Sequence, residues 1–212
     1  MSEGRSRFAG PSIVGWSALA LVGMFALIIL ADGTDDAGVR VLIRATARTS
    51  LALFLLAFVA SSLRRLWRTD FTAWLLRNRR YVGLSFAVSH GLHLVAIVML
   101  ARGWPESLWG QTPATTLYAG GLGFVFVGLM AATSSDAAVR AMGRGWKRLH
   151  AVGAWYLFLI FALSYGTRGF VSPGYLPATI AVIGALGLRI AARLRSAEGS
   201  ADQRSKRRLA SA

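Results

Sequence analysis

The chain has no cysteine, only three histidines, and nine acidic residues against 24 lysines and arginines. The absence of cysteine excludes a disulfide framework, a thiolate-held iron–sulfur cluster, a cysteine-based zinc site and covalent attachment of a c-type haem. Any cofactor is therefore held by histidine, carboxylate or backbone groups. Hydrophobic residues make up 55% of the chain, above the usual range of about 45–50% for soluble domains.

Six long apolar stretches account for this hydrophobicity. A helix needs about 20 mostly apolar residues to cross a bilayer core of about 30 Å. The stretches that satisfy this condition are residues 13–31, 47–66, 81–101, 115–134, 147–167 and 174–194. We therefore predict an all-α membrane protein, a single bundle of six transmembrane helices. The first stretch is interpreted as a helix and not as a cleaved signal peptide, because no small-residue cleavage site follows it.

Lysine and arginine are distributed unequally between the two sides that these spans define. One side carries 19 of them and the other carries five. The positive-inside rule then predicts that both termini are cytoplasmic, in a bacterial inner membrane. The net charge of +15 is interpreted as membrane topology and contact with lipid, so no nucleic-acid partner is predicted.

The predicted organisation has three parts: a cytoplasmic N-terminal segment at 1–12, a transmembrane domain at 13–195, and a basic cytoplasmic tail at 196–212. The tail is rich in basic, serine and alanine residues, which predicts disorder and contact with lipid headgroups. The connections are short; the longest is predicted at 32–49. The chain has no room for a nucleotide-binding domain, so a redox function requires electrons from another molecule.

The ionisable side chains inside the six spans are almost only His90, His93 and His150. Neutral imidazole is the usual axial ligand of a b-type haem, which needs no cysteine. The alternative interpretation is that each histidine forms a hydrogen bond with a neighbouring helix or with water. Because three histidines occur together without a carboxylate relay, the pattern favours haem or a metal ion.

Glycines and arginines near the histidines are consistent with this interpretation. Gly83, Gly91 and Gly153 permit close approach of a porphyrin, although ordinary helix packing explains them equally well. Haem propionates need basic partners. Candidates are Arg79 with Arg80 and Lys147 on the cytoplasmic side, and Arg48 with Arg40 and Arg44 on the outer side.

Four short motifs in spans two to five resemble a known family. They are SSLRRL at 61–66, RRYVGL at 79–84 followed by LHL at 92–94, TSS at 133–135, and GWKRLH at 145–150. In this order and spacing the chain resembles the ferric reductase-like transmembrane domain superfamily. That superfamily includes the haem membrane subunit of the bacterial methionine sulfoxide reductase system, the STEAP metalloreductases and the NADPH oxidase membrane domain.

The resemblance implies a six-helix bundle with b-type haem between the third and fifth helices. It places His93 as the ligand from the third helix and His150 as the first ligand from the fifth, with His90 as a further candidate. The chain departs from the family where many relatives carry a second histidine in the fifth helix, because residues 163–165 read LSY. Since serine is a poor iron ligand, we predict one haem b per chain, bound by His93 or His90 together with His150.

The predicted function is that of a ferric reductase-like, metalloreductase-like transmembrane cytochrome b. A separate cytoplasmic reductase dependent on flavin or NAD(P)H would supply electrons, with flavin bound to that partner or diffusing. The acceptor at the outer face would be ferric iron, oxygen, copper or a periplasmic protein, and a homo-oligomer is expected by analogy. The alternatives are a non-redox protein that binds or transports a metal through its histidines, and an accessory subunit without catalysis.

Overall fold

The computed structural model describes residues 9–169 and 171–210, with side chains up to residue 198. In this part of the chain, six helices are long and apolar enough to cross a membrane. They are α1 (Ser12–Asp32), α2 (Asp36–Leu66), α3 (Asp70–Gly103), α5 (Ala114–Ala132), α7 (Arg144–Gly169) and α8 (Leu176–Ala210). Two short helices, α4 (Pro105–Trp109) and α6 (Asp136–Met142), lie in connections, and a 3₁₀ turn at Pro173–Tyr175 precedes α8. The prediction of an all-α, six-helix membrane protein is confirmed.

The turn between α1 and α2 explains why α2 begins earlier than hydropathy predicts. The side chain of Asp35 accepts a hydrogen bond of 2.8 Å from the backbone N–H of Gly38 and so caps the helix. A Cβ on Gly38 would lie 2.5 Å from the carbonyl oxygen of Gly33, so only glycine fits this close turn. The residues predicted as the longest connection, 32–49, are therefore mostly helical.

Charged residues predicted to lie in connections thus belong to helices. Arg40 lies in the first turns of α2, where it pairs with Asp36 one turn earlier, at 3.1 Å. The helix α3 begins at Asp70, after a capping box formed by Thr69 and Thr72. Arg79 consequently lies more than two turns inside α3, whereas the sequence predicted it just before the third span.

The two terminal segments predicted from the sequence, 1–12 and 196–212, are described to different extents by the structure. Residues 1–8, which make up most of the predicted segment 1–12, lie outside the described residues. The helix α8 continues to Ala210, whereas the sequence predicted disorder from residue 196. Alanine, arginine, lysine and glutamine make up eight of the 15 residues at 196–210, and all have good helix propensity. The division into segments at residues 12 and 195 stays a prediction.

The helices form a bundle in which α2 and α3 are the central pair. Hydroxyl groups join them, because Ser89 of α3 lies 2.9 Å from Thr49 and 3.0 Å from Ser50 of α2, oxygen to oxygen. Such polar contacts hold helices together where lipid supplies no hydrophobic driving force. The helix α8 packs on α2 and α7, while α5 packs on α7 and α3. The helix α1 contacts α2 and α3 from outside and buries only Leu21.

An aromatic column occupies the middle of the bundle and joins α2, α3 and α7. The ring of Phe54 lies 5.4 Å from that of Phe86 and 5.3 Å from that of Phe161, centroid to centroid. The ring of Phe58 stacks on that of Phe158 at 4.9 Å. These apolar contacts fix the relative heights of the three helices, and hence of the histidines that α3 and α7 carry.

Candidate functional site

A cavity of about 520 Å³ lies in the half of the bundle where α3 and α7 begin. Its apolar wall includes the rings of Phe54, Phe58, Phe86, Trp146 and Trp155. Its polar lining consists of Ser134, His150 and the charged residues Arg79, Arg80, Asp136, Lys147 and Arg189. The cavity therefore combines an aromatic wall, one imidazole and an excess of positive charge.

His150 is held in position by contacts on two sides. Its Nε2 atom lies 3.0 Å from the Oγ1 atom of Thr133, at the end of α5. The ring of Trp146 stacks on the imidazole, with 4.2 Å between ring centroids. The indole N–H of Trp146 donates to the carbonyl oxygen of Thr133 at 2.9 Å. The TSS and GWKRLH motifs thus meet at one place, where they fix the His150 ring at the cavity wall.

The three glycines considered in the sequence have different roles. Gly83 lines the cavity, and a Cβ at this position would meet no atom within 4 Å, so the backbone of α3 is open to a ligand here. Gly153 serves helix packing, because a Cβ there would lie 3.2 Å from the ring of Phe126 and 2.5 Å from the sulfur of Met130. Gly91 is exposed and does not line the cavity.

His93 and His90 form a second group further along α3. The Nδ1 atom of His93 lies 3.0 Å from Oγ1 of Thr46 in α2. The two imidazole rings are 5.4 Å apart, and the ring of Phe124 lies 4.5 Å from that of His90. Nδ1 of His90 is buried without a hydrogen-bond partner among the described residues. Within those residues, no group of three or more His, Cys, Asp or Glu side chains could hold a metal ion.

The structure does not bring His150 together with His90 or His93. Phe161 contacts the ring of His90 at 6.2 Å and is therefore at its level in the bundle. Phe161 lies 11 residues after His150 in α7, which is about 16 Å along a helix. Two axial nitrogens of one iron are only about 4 Å apart, with metal–nitrogen distances of about 2 Å. This offset does not favour the predicted pairing on a single iron, which stays a prediction.

The two predicted arginine partners lie at different ends of the bundle. Arg79 lines the cavity, and its Nε donates to the carbonyl oxygen of Ala57 in α2 at 2.8 Å. Arg48 lies near the opposite end, where its guanidinium carbon is 5.8 Å from the centre of the Tyr175 ring. Arg168 lies 5.7 Å from the same ring. Arg79 can therefore reach a ligand of the cavity, whereas Arg48 belongs to the other end.

The sequence did not indicate three residues near the histidines and the cavity as functional candidates. Thr46 and Thr133 each contact an imidazole nitrogen, and Arg189 lines the cavity. Arg189 was counted with the basic cytoplasmic residues, although it lies inside the span 174–194. An arginine inside an apolar span is itself a signal of function. The threonines gave no such signal, because hydroxyl groups are common in membrane helices.

Curated relatives of this chain share one name. The chain is 32% identical over 185 residues to the protein-methionine-sulfoxide reductase heme-binding subunit MsrQ of Ralstonia nicotianae, which covers 81% of each chain. It is 37% identical over 124 residues to the protein of the same name from Bordetella pertussis, covering 56% of this chain and 57% of the relative. A third, from Azospira oryzae, is 31% identical over 147 residues, covering 63% of this chain and 60% of the relative. No solved structure matches the chain.

A family model agrees with these relatives and with the resemblance seen in the sequence. The model of the ferric reductase like transmembrane component matches residues 45–161. This range runs from the first half of α2 to the middle of α7 and includes all three histidines. The chain belongs to the ferric reductase like transmembrane component family.

Proposed function

We propose that this chain is a transmembrane b-type cytochrome, the haem-binding electron-transfer subunit of a larger system. The observation that carries the proposal is the cavity at His150, with its aromatic wall, its open glycine and its positive charge. The curated relatives are named as heme-binding subunits of protein-methionine-sulfoxide reductase, which supports the same function here.

The residues around the cavity fit a haem group. Gly83 leaves space beside the backbone of α3, and the aromatic rings offer apolar contacts for a porphyrin. His150 offers an imidazole nitrogen, because only one of its two nitrogens is engaged by Thr133. A bound haem supplies reversible one-electron transfer. The chain's own part is to hold the group, to orient His150 and to exclude water from the apolar wall.

The histidines occupy two positions. His150 is the proposed iron ligand at the cavity, with Arg79 as a partner for the propionates. His93 and His90 lie at a second position, with Arg48 as the basic residue at that end of the bundle, and no haem is proposed there. Ser164 lies three residues after Phe161 in α7, and serine is a poor iron ligand. We therefore propose one haem b per chain, at His150.

The proposed topology follows from the distribution of lysine and arginine. Both termini face the cytoplasm of a bacterial inner membrane, and the domain at 13–195 binds the haem. The cavity then lies in the cytoplasmic half of the bundle, near a separate reductase dependent on flavin or NAD(P)H. The acceptor at the outer face is ferric iron, oxygen, copper or a periplasmic protein, and the active form is a homo-oligomer.

A visible spectrum tests the proposal directly. The full chain is purified in mild detergent, and the spectrum reduced with dithionite is compared with the oxidised spectrum. We expect the sharp absorption bands of a reduced b-type haem, with pyridine haemochrome confirming non-covalent haem. A protein that is folded by circular dichroism, yet colourless after expression with added haem precursor, would overturn the proposal.

A further inference from the structure

Arg189 is a charged residue held inside a membrane-spanning helix. Its Nη1 donates to the carbonyl oxygen of Phe58 at 2.8 Å, and its guanidinium carbon lies 4.1 Å from the Phe58 ring and 4.8 Å from the Trp155 ring. Arg195 donates to the carbonyl oxygen of Leu66, the last residue of α2. Because Arg189 precedes Arg195 by six residues, it lies about 9 Å further into the bundle. One carbonyl and two rings therefore fix its depth.

Arg79 reaches the same place from another helix. Its Nε donates to the carbonyl oxygen of Ala57, which precedes Phe58 in α2. Both arginines line the cavity, as do Ala57 and Phe58. Two guanidinium groups, one from α3 and one from α8, are thus fixed on consecutive carbonyls of α2 beside one cavity.

Neither of these two arginines forms an ion pair with an acidic group of the described residues. The ion pairs of the described residues are Asp36 with Arg40 and Asp136 with Arg80. Asp136, which pairs with Arg80, is the one acid among the described residues that line the cavity, and the other titratable groups there, His150 and Lys147, are not anions. Nε of Arg189 is buried and has no hydrogen-bond partner among the described residues. An unpaired charge inside a bundle is costly, so the half-buried Arg189, together with the exposed Arg79, favours an anionic ligand in the cavity.

We propose that Arg189 and Arg79 form a carboxylate-binding pair that takes the propionate groups of a porphyrin in the cavity. This inference rests on the proposed function, because it assumes that haem is the ligand. Guanidinium is planar and presents N–H groups in a fork that matches the two oxygens of a carboxylate. Nη1 of Arg189 donates one N–H to Phe58, which leaves the other Nη groups for the ligand.

Esterified haem tests the role of the carboxylates. Full-length apoprotein, made under haem limitation and purified in detergent, is titrated with ferric haem and with its dimethyl ester, which has no free carboxylate. We expect the wild type to bind haem at least about tenfold more tightly than the ester, as charge-assisted hydrogen bonds predict. In Arg189→Gln this preference falls to near unity, while the affinity for the ester stays at its wild-type value; Arg189→Lys keeps part of the preference.

Arg193→Gln is the matched control. Arg193 lies one turn further along α8, contacts the Trp155 ring at 5.9 Å and does not line the cavity, so its variant should keep the full preference. An unchanged preference in Arg189→Gln would overturn the inference, and so would equal loss of both porphyrins, which marks Arg189 as purely structural. Equal binding of both porphyrins by the wild type would assign the pair to another anion, such as a lipid phosphate. A wild type that binds neither porphyrin would overturn the proposed function itself.

Discussion

Thr133 accepts a hydrogen bond from His150. The hydroxyl of Thr133 donates its single proton to the carbonyl oxygen of Leu129, four residues earlier, at 2.7 Å. The same oxygen lies 3.0 Å from Nε2 of His150, so Nε2 carries the proton and Nδ1 is left as the basic nitrogen. Thr46 repeats this arrangement, because its hydroxyl donates to Leu42 at 2.6 Å and lies 3.0 Å from Nδ1 of His93. In His93 the free nitrogen is therefore Nε2.

Removal of the Thr133 hydroxyl should weaken haem binding without unfolding the protein. Contacts that orient a ligating histidine are worth about 10–100-fold in affinity, so Thr133→Val should raise the dissociation constant of haem by about tenfold or more. Thr133→Ser keeps the acceptor and should stay near the wild type. Titration of the apoprotein with haem gives both values. Identical affinities for the valine and serine variants would contradict a role for this hydrogen bond.

Haem content should depend on His150 and not on His93. His150→Ala should remove most of the haem, while His93→Ala should keep about one haem per chain, because His93 lies in the group beyond the aromatic column. The measurement is a pyridine haemochrome assay normalised to protein mass, with membrane insertion checked by immunoblot. Full occupancy in His150→Ala would remove this residue from the site. A wild-type value near two would assign a second haem to the position of His93.

Reporter fusions should place both ends of the chain in the cytoplasm. The asymmetry of 19 against five basic residues predicts this orientation. Alkaline phosphatase fused after Ala212 should be inactive, whereas a fusion in the connection at 110–113, between α4 and α5, should be active. Green fluorescent protein at the same positions is the control and should give the reverse pattern. An active phosphatase at Ala212 would invert the proposed direction of electron transfer.

The purified protein should not be reduced by NADPH alone. The sequence predicts no nucleotide-binding domain in these 212 residues, so we expect a separate reductase to supply the electrons. Addition of a flavin reductase together with free flavin should reduce the haem, as followed by its visible spectrum under nitrogen. Flavin without the reductase serves as the control. Rapid reduction by NADPH alone would reveal a cofactor site that the chain's sequence does not predict.

The contact between α5 and α7 should be sensitive to the size of residue 153. Gly153→Leu forces its side chain against Met130 and Phe126, and such overpacking costs about 1–3 kcal/mol. Gly166→Leu is the control on the same helix, because a Cβ at Gly166 would meet no atom within 4 Å. Thermal unfolding in detergent should show the larger loss for Gly153→Leu. Equal losses would contradict the packing role of Gly153.

Hydropathy predicted the number of membrane helices but not where they begin. A charged residue lowers the mean hydropathy of a window of about 20 residues, whether or not another group compensates its charge. Arg40 is paired with Asp36, and Arg79 is bound to the carbonyl oxygen of Ala57, so both fit inside helices. Mean hydropathy does not include these partners, which lie in another turn or another helix. The sequence therefore predicted that Arg40 and Arg79 lie outside the membrane spans.

The sequence predicted which residues belong to the candidate site better than it predicted which of them lie together. The motif GWKRLH led to His150, and RRYVGL led to Arg79 and Gly83, all of which line the cavity. The pairing of His93 with His150 stays a prediction, because it depends on the relative height of α3 and α7. That height is set by contacts such as Phe86 with Phe161, at 6.3 Å between ring centroids, which no local pattern in either helix encodes.

Two of the seven tryptophans, Trp146 and Trp155, line the cavity. The first stacks on His150, and the second lies edge-on to Phe58 at 5.3 Å and faces Arg189. A haem that enters the cavity absorbs where indole emits, so both residues lose fluorescence when the cavity fills. The chain therefore carries its own optical reporter, which makes occupancy of the cavity measurable in the purified protein without an attached dye.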